Sequence, residues 1–109
     1  MIFNNIQEFS SIRLRDYLKE NDPFLLDVRE PWEFEICRLK GSILIPMGQL
    51  IGNLEMIREK EELVVICHHG IRSRRVCHFL KSQGFEKLIN LKDGLDGWAK
   101  DIDKEMKIY

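Results

Sequence analysis

The segment whose residue types and spacing could support chemistry is Cys67-His68-His69-Gly70-Ile71-Arg72-Ser73. The residues just before it, 63–66, are all apolar and three of them are β-branched, which is typical of a buried strand. The residues after it repeat apolar side chains at helical spacing. The thiol therefore lies where a strand passes into a helix. Loop N–H groups, the positive end of the helix dipole and Arg72 would all favour a negatively charged sulfur there.

Cys67 is accordingly predicted to be a nucleophilic thiolate. Helix N-termini and neighbouring cations lower the pKa of cysteine from ~8.5 to between ~3.5 and ~7.5. The same N–H groups would stabilise the terminal sulfur of a persulfide, Cys–S–S⁻, because that sulfur also accepts hydrogen bonds. Gly70 permits the tight curl of such a loop, since glycine tolerates positive φ. The competing interpretation is an inert residue at a strand end, because free cysteine is often buried.

Positive charge is concentrated beside this thiol. Arg72, Arg74 and Arg75 form a basic rim that suits a small dianion such as thiosulfate. Arg74 and Arg75 are more typical of a solvated helix surface than of a substrate contact. His68 and His69 are interpreted as exposed loop residues that add positive potential when protonated.

The other two cysteines are not predicted to take part in the chemistry. Cys77 falls on an apolar helix face, and Cys37 is interpreted as a partly buried spectator. A zinc site is the alternative for these residue types, but Cys67-His68-His69 and Cys77-His78 lack the usual spacing of zinc ligands. We expect no metal, nucleotide or flavin cofactor.

Composition favours one globular domain, residues 1–109. The chain is 44% hydrophobic and 32% charged, with a net charge of -1, so no global field favours nucleic acid or an anionic membrane. Residues 1–5 do not resemble the start of an export signal, and no apolar run could span a bilayer. Three cysteines at unequal spacing argue against a disulfide framework. We expect a cytoplasmic protein with free thiols.

Short strand and helix signals alternate along the chain. Helices are predicted after a cap at Ser10 or Ser11, as a turn at 30–34, and over 50–57, 76–80 and 94–98. Strands are predicted at 24–28, 43–45, 63–66 and 88–91. This alternation predicts an α/β domain with a largely parallel sheet, helices on both faces, and the candidate loop at the carboxyl edge of the sheet.

Three further segments carry motifs: D-V-R-E with an aromatic residue in 25–34, G-[AS]-x-x-[IL]-P in 41–46, and G-x-x-x-W in 94–98. Together with C-x-x-G-x-R-S at 67–73, they resemble the single-domain rhodanese-like sulfurtransferase family from about Phe3 to Tyr109. One departure is Arg38, which stands where the family commonly has histidine. The related cysteine phosphatases have C-x5-R, whereas Cys67 and Arg72 are separated by four residues, which favours the tighter loop of a sulfurtransferase.

The resemblance implies a rhodanese-like three-layer fold with Cys67 as the persulfide-forming nucleophile. It implies that Asp27 and Arg29 support the loop from beneath, and that Arg72 orients the donor or stabilises the loop. The implied substrate-binding residues are His68, His69, Gly70, Ile71, Arg72 and Ser73.

The reaction expected from the resemblance moves a sulfane sulfur from thiosulfate or a similar anionic donor to a thiophilic acceptor. Cyanide would accept it in vitro, and a thiol, including a protein cysteine, would accept it in the cell. The alternative is a non-catalytic rhodanese-like module that binds a partner or relays sulfur within a complex, because a fold does not dictate function. Neither interpretation requires nucleic acid or a membrane as a partner.

Overall fold

The computed structural model describes residues 6–109, so the expectation that residues 1–5 carry no export signal, and the first residues of the resemblance, lie outside it. Five strands alternate with five α-helices along this part of the chain. The strands are β1 (Ile6–Phe9), β2 (Phe24–Asp27), β3 (Ile43–Leu44), β4 (Leu63–Ile66) and β5 (Leu88–Leu91). The helices are α1 (Ser11–Tyr17), α2 (Pro31–Ile36), α3 (Leu54–Arg58), α4 (Ile71–Ser82) and α5 (Gly94–Asp101).

All five strands pair in parallel in one sheet, in the order β1-β5-β4-β2-β3. Every residue of β4 and β5 is buried, as expected for central strands covered on both faces. Because the strands are parallel, their carboxyl ends all meet at one edge of the sheet. The segments that follow β2, β4 and β5 therefore lie side by side at that edge, and Cys67 is the first residue after β4.

Two apolar layers cover the sheet and confirm the predicted three-layer α/β architecture. One contains side chains of α3 and α4, including Ile57, Val76, Cys77 and Leu80. The other contains side chains of α1 and α5, including Leu14 and Leu95. Alternation along β4 divides it between them, since Val65 lies in the first layer and Val64 in the second. Within residues 6–109, no helix has the length and apolar character needed to cross a membrane.

The structure departs from the sequence prediction at the chain start and in the middle. β1 was not predicted; as an edge strand it is buried only at its two ends, Ile6 and Phe9, and so lacks a strand's usual alternation. The helix predicted over 50–57 is instead two 3₁₀ turns, Met47–Gln49 and Ile51–Asn53, followed by the short α3. Two glycines in this segment weaken a regular α-helix there.

A buried ion pair lies beneath the carboxyl edge of the sheet. The side chains of Asp27 and Arg29 are both 0% exposed, and their closest charged atoms are 2.7 Å apart. Arg29 also donates to the backbone carbonyls of Cys37, at 2.6 Å, and Glu33, at 3.2 Å. The pair therefore joins the end of β2 to α2 and to the residue that follows it.

Replacing Arg29 with methionine should destabilise the fold by about 3–5 kcal/mol, because it leaves the carboxylate of Asp27 buried without a counter-ion. Urea unfolding at neutral pH measures this loss. Arg15→Met is the matched control: Arg15 is exposed and, within residues 6–109, forms its ion pair with the neighbouring Asp16, so it should cost less than about 1 kcal/mol. Equal losses in the two variants would show that the buried pair does not hold this edge together.

Candidate active site

Two backbone N–H groups point at the sulfur of Cys67. The Gly70 N–H donates to Sγ at 3.1 Å, and the Ser73 N–H donates to it at 3.3 Å. Gly70 is the N-cap of α4 and has a φ of 91°, which glycine adopts without strain. A Cβ at this position would lie 1.9 Å from the carbonyl oxygen of Lys92, so only glycine lets the loop lie this close to the β5–α5 connection.

The carbonyl groups of the same loop are bound on the opposite side, at the N-terminus of α5. The Leu95 N–H donates to the carbonyl of Cys67 at 2.9 Å, and the Asp96 N–H donates to that of His68 at 3.0 Å. Gly94 makes this close approach possible, since a Cβ there would lie 2.3 Å from the His68 oxygen. With two loop carbonyls turned toward α5, the loop's N–H groups are free to face the sulfur.

Ser73 brings a hydroxyl group to the same sulfur. Its Oγ lies 3.2 Å from Cys67 Sγ, and its O–H donates to Oδ1 of Asn90 on β5. The amide of Asn90 in turn donates to Oε1 of Glu8 at 2.8 Å and to the carbonyl of Gly70 at 3.2 Å. Asn90 and Glu8 were not predicted from the sequence as part of this site. The available signal was one amide inside the otherwise apolar run 88–91.

Arg72 does not stand free beside the thiol. Its guanidinium makes a two-pronged contact with the carboxylate of Glu33, at 2.8 and 2.7 Å. The Glu33 side chain is 4% exposed and also accepts hydrogen bonds from the Glu30 N–H and the Tyr109 hydroxyl. The hydrogen bonds from Arg72 are the main cause that lowers the pKa of Glu33 to about 2. Arg72 thus ties the start of α4 to α2, a geometry that favours loop support over donor orientation.

The two histidines lie at the mouth of the loop. The imidazole of His68 is stacked between the rings of His69 and Tyr109, with centroids 4.0 Å apart on each side. Burial lowers the pKa of His68, so this ring favours its neutral form. The His69 side chain is 58% exposed, with Nδ1 3.9 Å from a carboxylate oxygen of Asp96. Ile71 points outward and is 57% exposed.

The remaining cysteines and arginines occupy different environments. Cys77 is fully buried, as predicted, and burial raises its pKa to about 12. Cys37 is partly buried, also as predicted. Arg74 forms an ion pair with Glu8 at 2.8 Å, whereas Arg75 is exposed. Two of the three arginines of the basic rim are therefore neutralised by carboxylates: Arg72 by the buried Glu33 and Arg74 by Glu8.

Among residues 6–109, one group of side chains has metal-ligand spacing. His68, His69 and Asp96 each place a ligand atom within 4.8 Å of the others. The two imidazoles are nearly parallel, with planes 20° apart. Because the lone pair of an imidazole nitrogen lies in the plane of the ring, two stacked rings do not direct their lone pairs at one ion. The arrangement fits a metal poorly.

The chain belongs to the rhodanese-like domain family, whose sequence pattern it matches over residues 11–101. It is 33% identical over 94 residues to the "Putative sulfurtransferase YtwF" of Bacillus subtilis (strain 168), an alignment that covers 85% of this chain and 90% of that protein. It is 38% identical over 75 residues to the "Putative sulfur carrier protein YrkF" of the same organism, covering 69% of this chain and 40% of YrkF.

The fold is similar to that of solved structures. A rhodanese-like domain protein from Staphylococcus aureus superimposes with a TM-score of 0.79 at 26% identity, covering 94% of this chain and 98% of the other. Some relatives are much longer: the "Adenylyltransferase and sulfurtransferase MOCS3-1" of Zea mays is 31% identical over 117 residues, and this chain spans 25% of it. The chain likewise spans less than half of YrkF. The family is thus that of rhodanese-like sulfurtransferases and sulfur carriers.

Acidification should remove the contribution of Glu33 to stability. Its pKa is about 2 in the fold against an ordinary value of 4.5, so ionised Glu33 stabilises the fold above pH 4.5, and this stabilisation is lost as the pH falls from 4.5 toward 2. We expect Glu33→Gln to lower the free energy of unfolding by on the order of 2 kcal/mol at pH 7, allowing for partial exposure of Arg72.

Urea unfolding at pH 7 and again at about pH 3 measures this contribution. The difference between wild type and Glu33→Gln should shrink at the lower pH, because Glu33 is then protonated in the unfolded chain but still mostly ionised in the fold. Glu35→Gln, an exposed carboxylate on the same helix, is the control and should change little at either pH. A difference that is the same at both values would mean that the ionised Glu33–Arg72 pair does not stabilise α2 against α4.

Proposed function

We propose that the chain is a sulfurtransferase in which Cys67 accepts a sulfane sulfur and carries it as a persulfide. The observation that supports this most is the pair of N–H groups, from Gly70 and Ser73, directed at a thiol at the end of β4. An inert cysteine in a core does not require such donors. Membership of a family that contains proteins named sulfurtransferases and a sulfur carrier agrees with it.

The proposed reaction has two steps. The Cys67 thiolate attacks the outer sulfur of thiosulfate or a similar donor; a new S–S bond forms, the donor's S–S bond breaks, and sulfite leaves with the bonding electron pair. The enzyme then holds Cys–S–S⁻. A thiol or cyanide next attacks the terminal sulfur, the enzyme's S–S bond breaks, and the Cys67 thiolate is released. Charge is conserved in both steps without a redox cofactor.

Hydrogen bonding, more than net charge, would stabilise the anionic sulfur here. Arg72 and Arg74 both interact electrostatically with Cys67, but each is held by a carboxylate, Glu33 and Glu8 respectively. The positive field at the sulfur is therefore weaker than three adjacent arginines suggest. Main-chain N–H dipoles have no such counter-ion, and in a site shielded from water each is worth more than in solution.

The proposed substrate contacts come from the backbone of the loop and from one arginine side chain that follows it. The backbone of His68, His69, Gly70, Ile71, Arg72 and Ser73 would surround the transferred sulfur. Arg75 is exposed and makes no ion pair within residues 6–109, so it is the arginine available to attract an anionic donor.

Burial of the nucleophile favours a second candidate, a sulfur-relay module that acts within a complex. Cys67 is 1% exposed, so a donor or acceptor reaches Sγ only after neighbouring side chains move. His68 follows Cys67 in the chain, and its ring is stacked between those of His69 and Tyr109. A protein partner that displaced these rings would open the site. Small donors in free solution would then react slowly.

Persulfide formation gives the direct test. After incubation with thiosulfate, the Cys67 peptide of the wild type should gain the mass of one sulfur atom, and added cyanide should remove it as thiocyanate. Cys67→Ser should do neither. Cys77→Ser, which removes the other fully buried thiol, should retain both. A persulfide that forms but does not turn over with cyanide would favour the relay module, and no persulfide with any sulfane donor would contradict both candidates.

Alkylation kinetics test the electrostatic part of the proposal. Iodoacetamide should modify Cys67 well below pH ~8, because N–H donors stabilise its thiolate. Cys77 should react much more slowly under the same conditions, since burial raises its pKa to about 12 and no N–H donor to its sulfur is present within residues 6–109. Peptide mass spectrometry reports both rates from one sample. Equal rates that rise only near pH ~8.5, as for an unperturbed thiol, would refute an activated Cys67.

A further inference from the structure

A buried hydrogen-bond network behind Cys67 is not used by the reaction described above. It runs from Cys67 through Ser73 and Asn90 to Glu8, which pairs with Arg74 at the surface. Asn90 is 0% exposed and lies on the same side of β5 as Leu88, beneath α4. A buried amide in a central strand costs free energy unless all its polar groups are paired. Here they are.

The orientation of the Asn90 amide follows from its partners. Its Nδ2 faces two oxygens that can only accept, a carboxylate oxygen of Glu8 at 2.8 Å and the carbonyl of Gly70 at 3.2 Å. The reverse orientation would bring Oδ1 against both of these acceptors. Oδ1 therefore faces Ser73, whose hydroxyl group donates to it.

Because of this orientation, the hydroxyl proton of Ser73 points at Oδ1 of Asn90. A serine hydroxyl has one proton and two lone pairs. With its proton directed at Asn90, Ser73 presents a lone pair to Cys67 Sγ at 3.2 Å and accepts the thiol S–H. A thiolate in the same place would face that lone pair and gain nothing from the hydroxyl. It would receive only the N–H groups of Gly70 and Ser73.

We propose that Asn90 is a positioning residue that acts on Cys67 through Ser73: by holding the hydroxyl proton, it makes Ser73 an acceptor, which favours the thiol over the thiolate at Cys67. Ionisation sends the S–H proton to solvent. Without the Asn90 carbonyl, the Ser73 hydroxyl would turn and donate to the thiolate. The network thus opposes the N–H groups and sets how much thiolate is present before a donor arrives. This inference rests on Cys67 being the reactive sulfur of the proposed function.

Asn90→Leu and Ser73→Ala add no charge near the sulfur, whereas Asn90→Asp adds a carboxylate, and both Asn90 variants remove a hydrogen bond from Glu8. The charged and titratable groups around the sulfur are otherwise those of the wild type. From α4 these are Arg72, Arg74 and Cys77; from α2, Glu33; from β1, Glu8; and from the loop and α5, His68, His69 and Asp96. The contribution of the hydroxyl group is isolated by comparing the effect of Asn90→Leu in the wild type with its effect in a Ser73→Ala background, since the changes at Glu8 and Gly70 are the same in both.

The test compares Asn90→Leu with Asn90→Asp in the full chain. Both lose the Nδ2 donor to Gly70 and Glu8, but only the aspartate keeps an oxygen that accepts the Ser73 proton. The measured quantity is the rate of iodoacetamide alkylation of the Cys67 peptide from about pH 5 to about pH 9, a range that spans perturbed and ordinary thiols. Ile89→Val, on the opposite face of β5, controls for a general loss of packing.

For Asn90→Leu we expect the midpoint of the pH profile to fall by about one unit, the size of one hydrogen bond to a charged group. Below the midpoint, alkylation should be about threefold faster rather than tenfold, because a less basic thiolate is a weaker nucleophile. Asn90→Asp should not lower the midpoint. In a Ser73→Ala background, Asn90→Leu should change nothing, since the hydroxyl through which it acts is gone. If Asn90→Leu does not fold, Asn90→Val, which suits a strand, carries the same expectation.

Three results would overturn the inference: an unchanged or raised midpoint in Asn90→Leu, the same downward shift in Asn90→Asp, or the same shift without the Ser73 hydroxyl. The second would indicate that loosening of Gly70, which both variants share, is the cause. Failure of the proposed function is separate, because it would appear as a wild-type Cys67 that neither forms a persulfide nor alkylates faster than an ordinary thiol.

Discussion

The structure depends on how the peptide groups between β4 and α4 are turned. Two carbonyls, those of Cys67 and His68, bind N–H groups at the start of α5. That contact leaves the N–H groups of Gly70 and Ser73 directed at the sulfur. Each of these arrangements depends on a glycine, because a Cβ at Gly70 or at Gly94 would overlap a backbone oxygen. The electrostatic environment of the thiol is thus fixed by backbone packing between two connections.

Charge plays a different part, that of holding the surrounding elements. Asp27 and Arg29 are buried together beneath the edge, and Glu33 and Arg72 join α2 to α4 across it. Each arginine is neutralised by the carboxylate that positions it. Tyr109 links the two pairs, since its hydroxyl accepts a hydrogen bond from Arg29 at 2.8 Å and donates to Glu33 at 2.9 Å. Rigidity of the loop therefore comes from ion pairs, and stabilisation of a sulfur anion is left to the N–H groups.

The sequence predicted the order of elements from α1 onward, the three-layer fold and the place of the cysteine loop. These features depend on local patterns, namely apolar runs for the strands and apolar side chains at helical spacing for the helices. β1 was missed because an edge strand with one buried residue at each end has no strong periodicity. The partner of Arg72 was also missed, because Glu33 lies 39 residues away and nothing local pairs them.

Asn90 shows the same limit inside the site. An amide in an apolar run could be a surface residue of an edge strand or a buried residue with partners, and only the strand order decides between them. Because β5 lies between β1 and β4, Asn90 meets Glu8 on one neighbour and the loop that follows the other. A buried amide in that position must satisfy both its donors and its acceptor. It can do so only by fixing the direction of the Ser73 hydroxyl. Whether the Ser73 hydroxyl donates to the sulfur or accepts from it is thus a consequence of sheet topology, which the motif residues alone do not reveal.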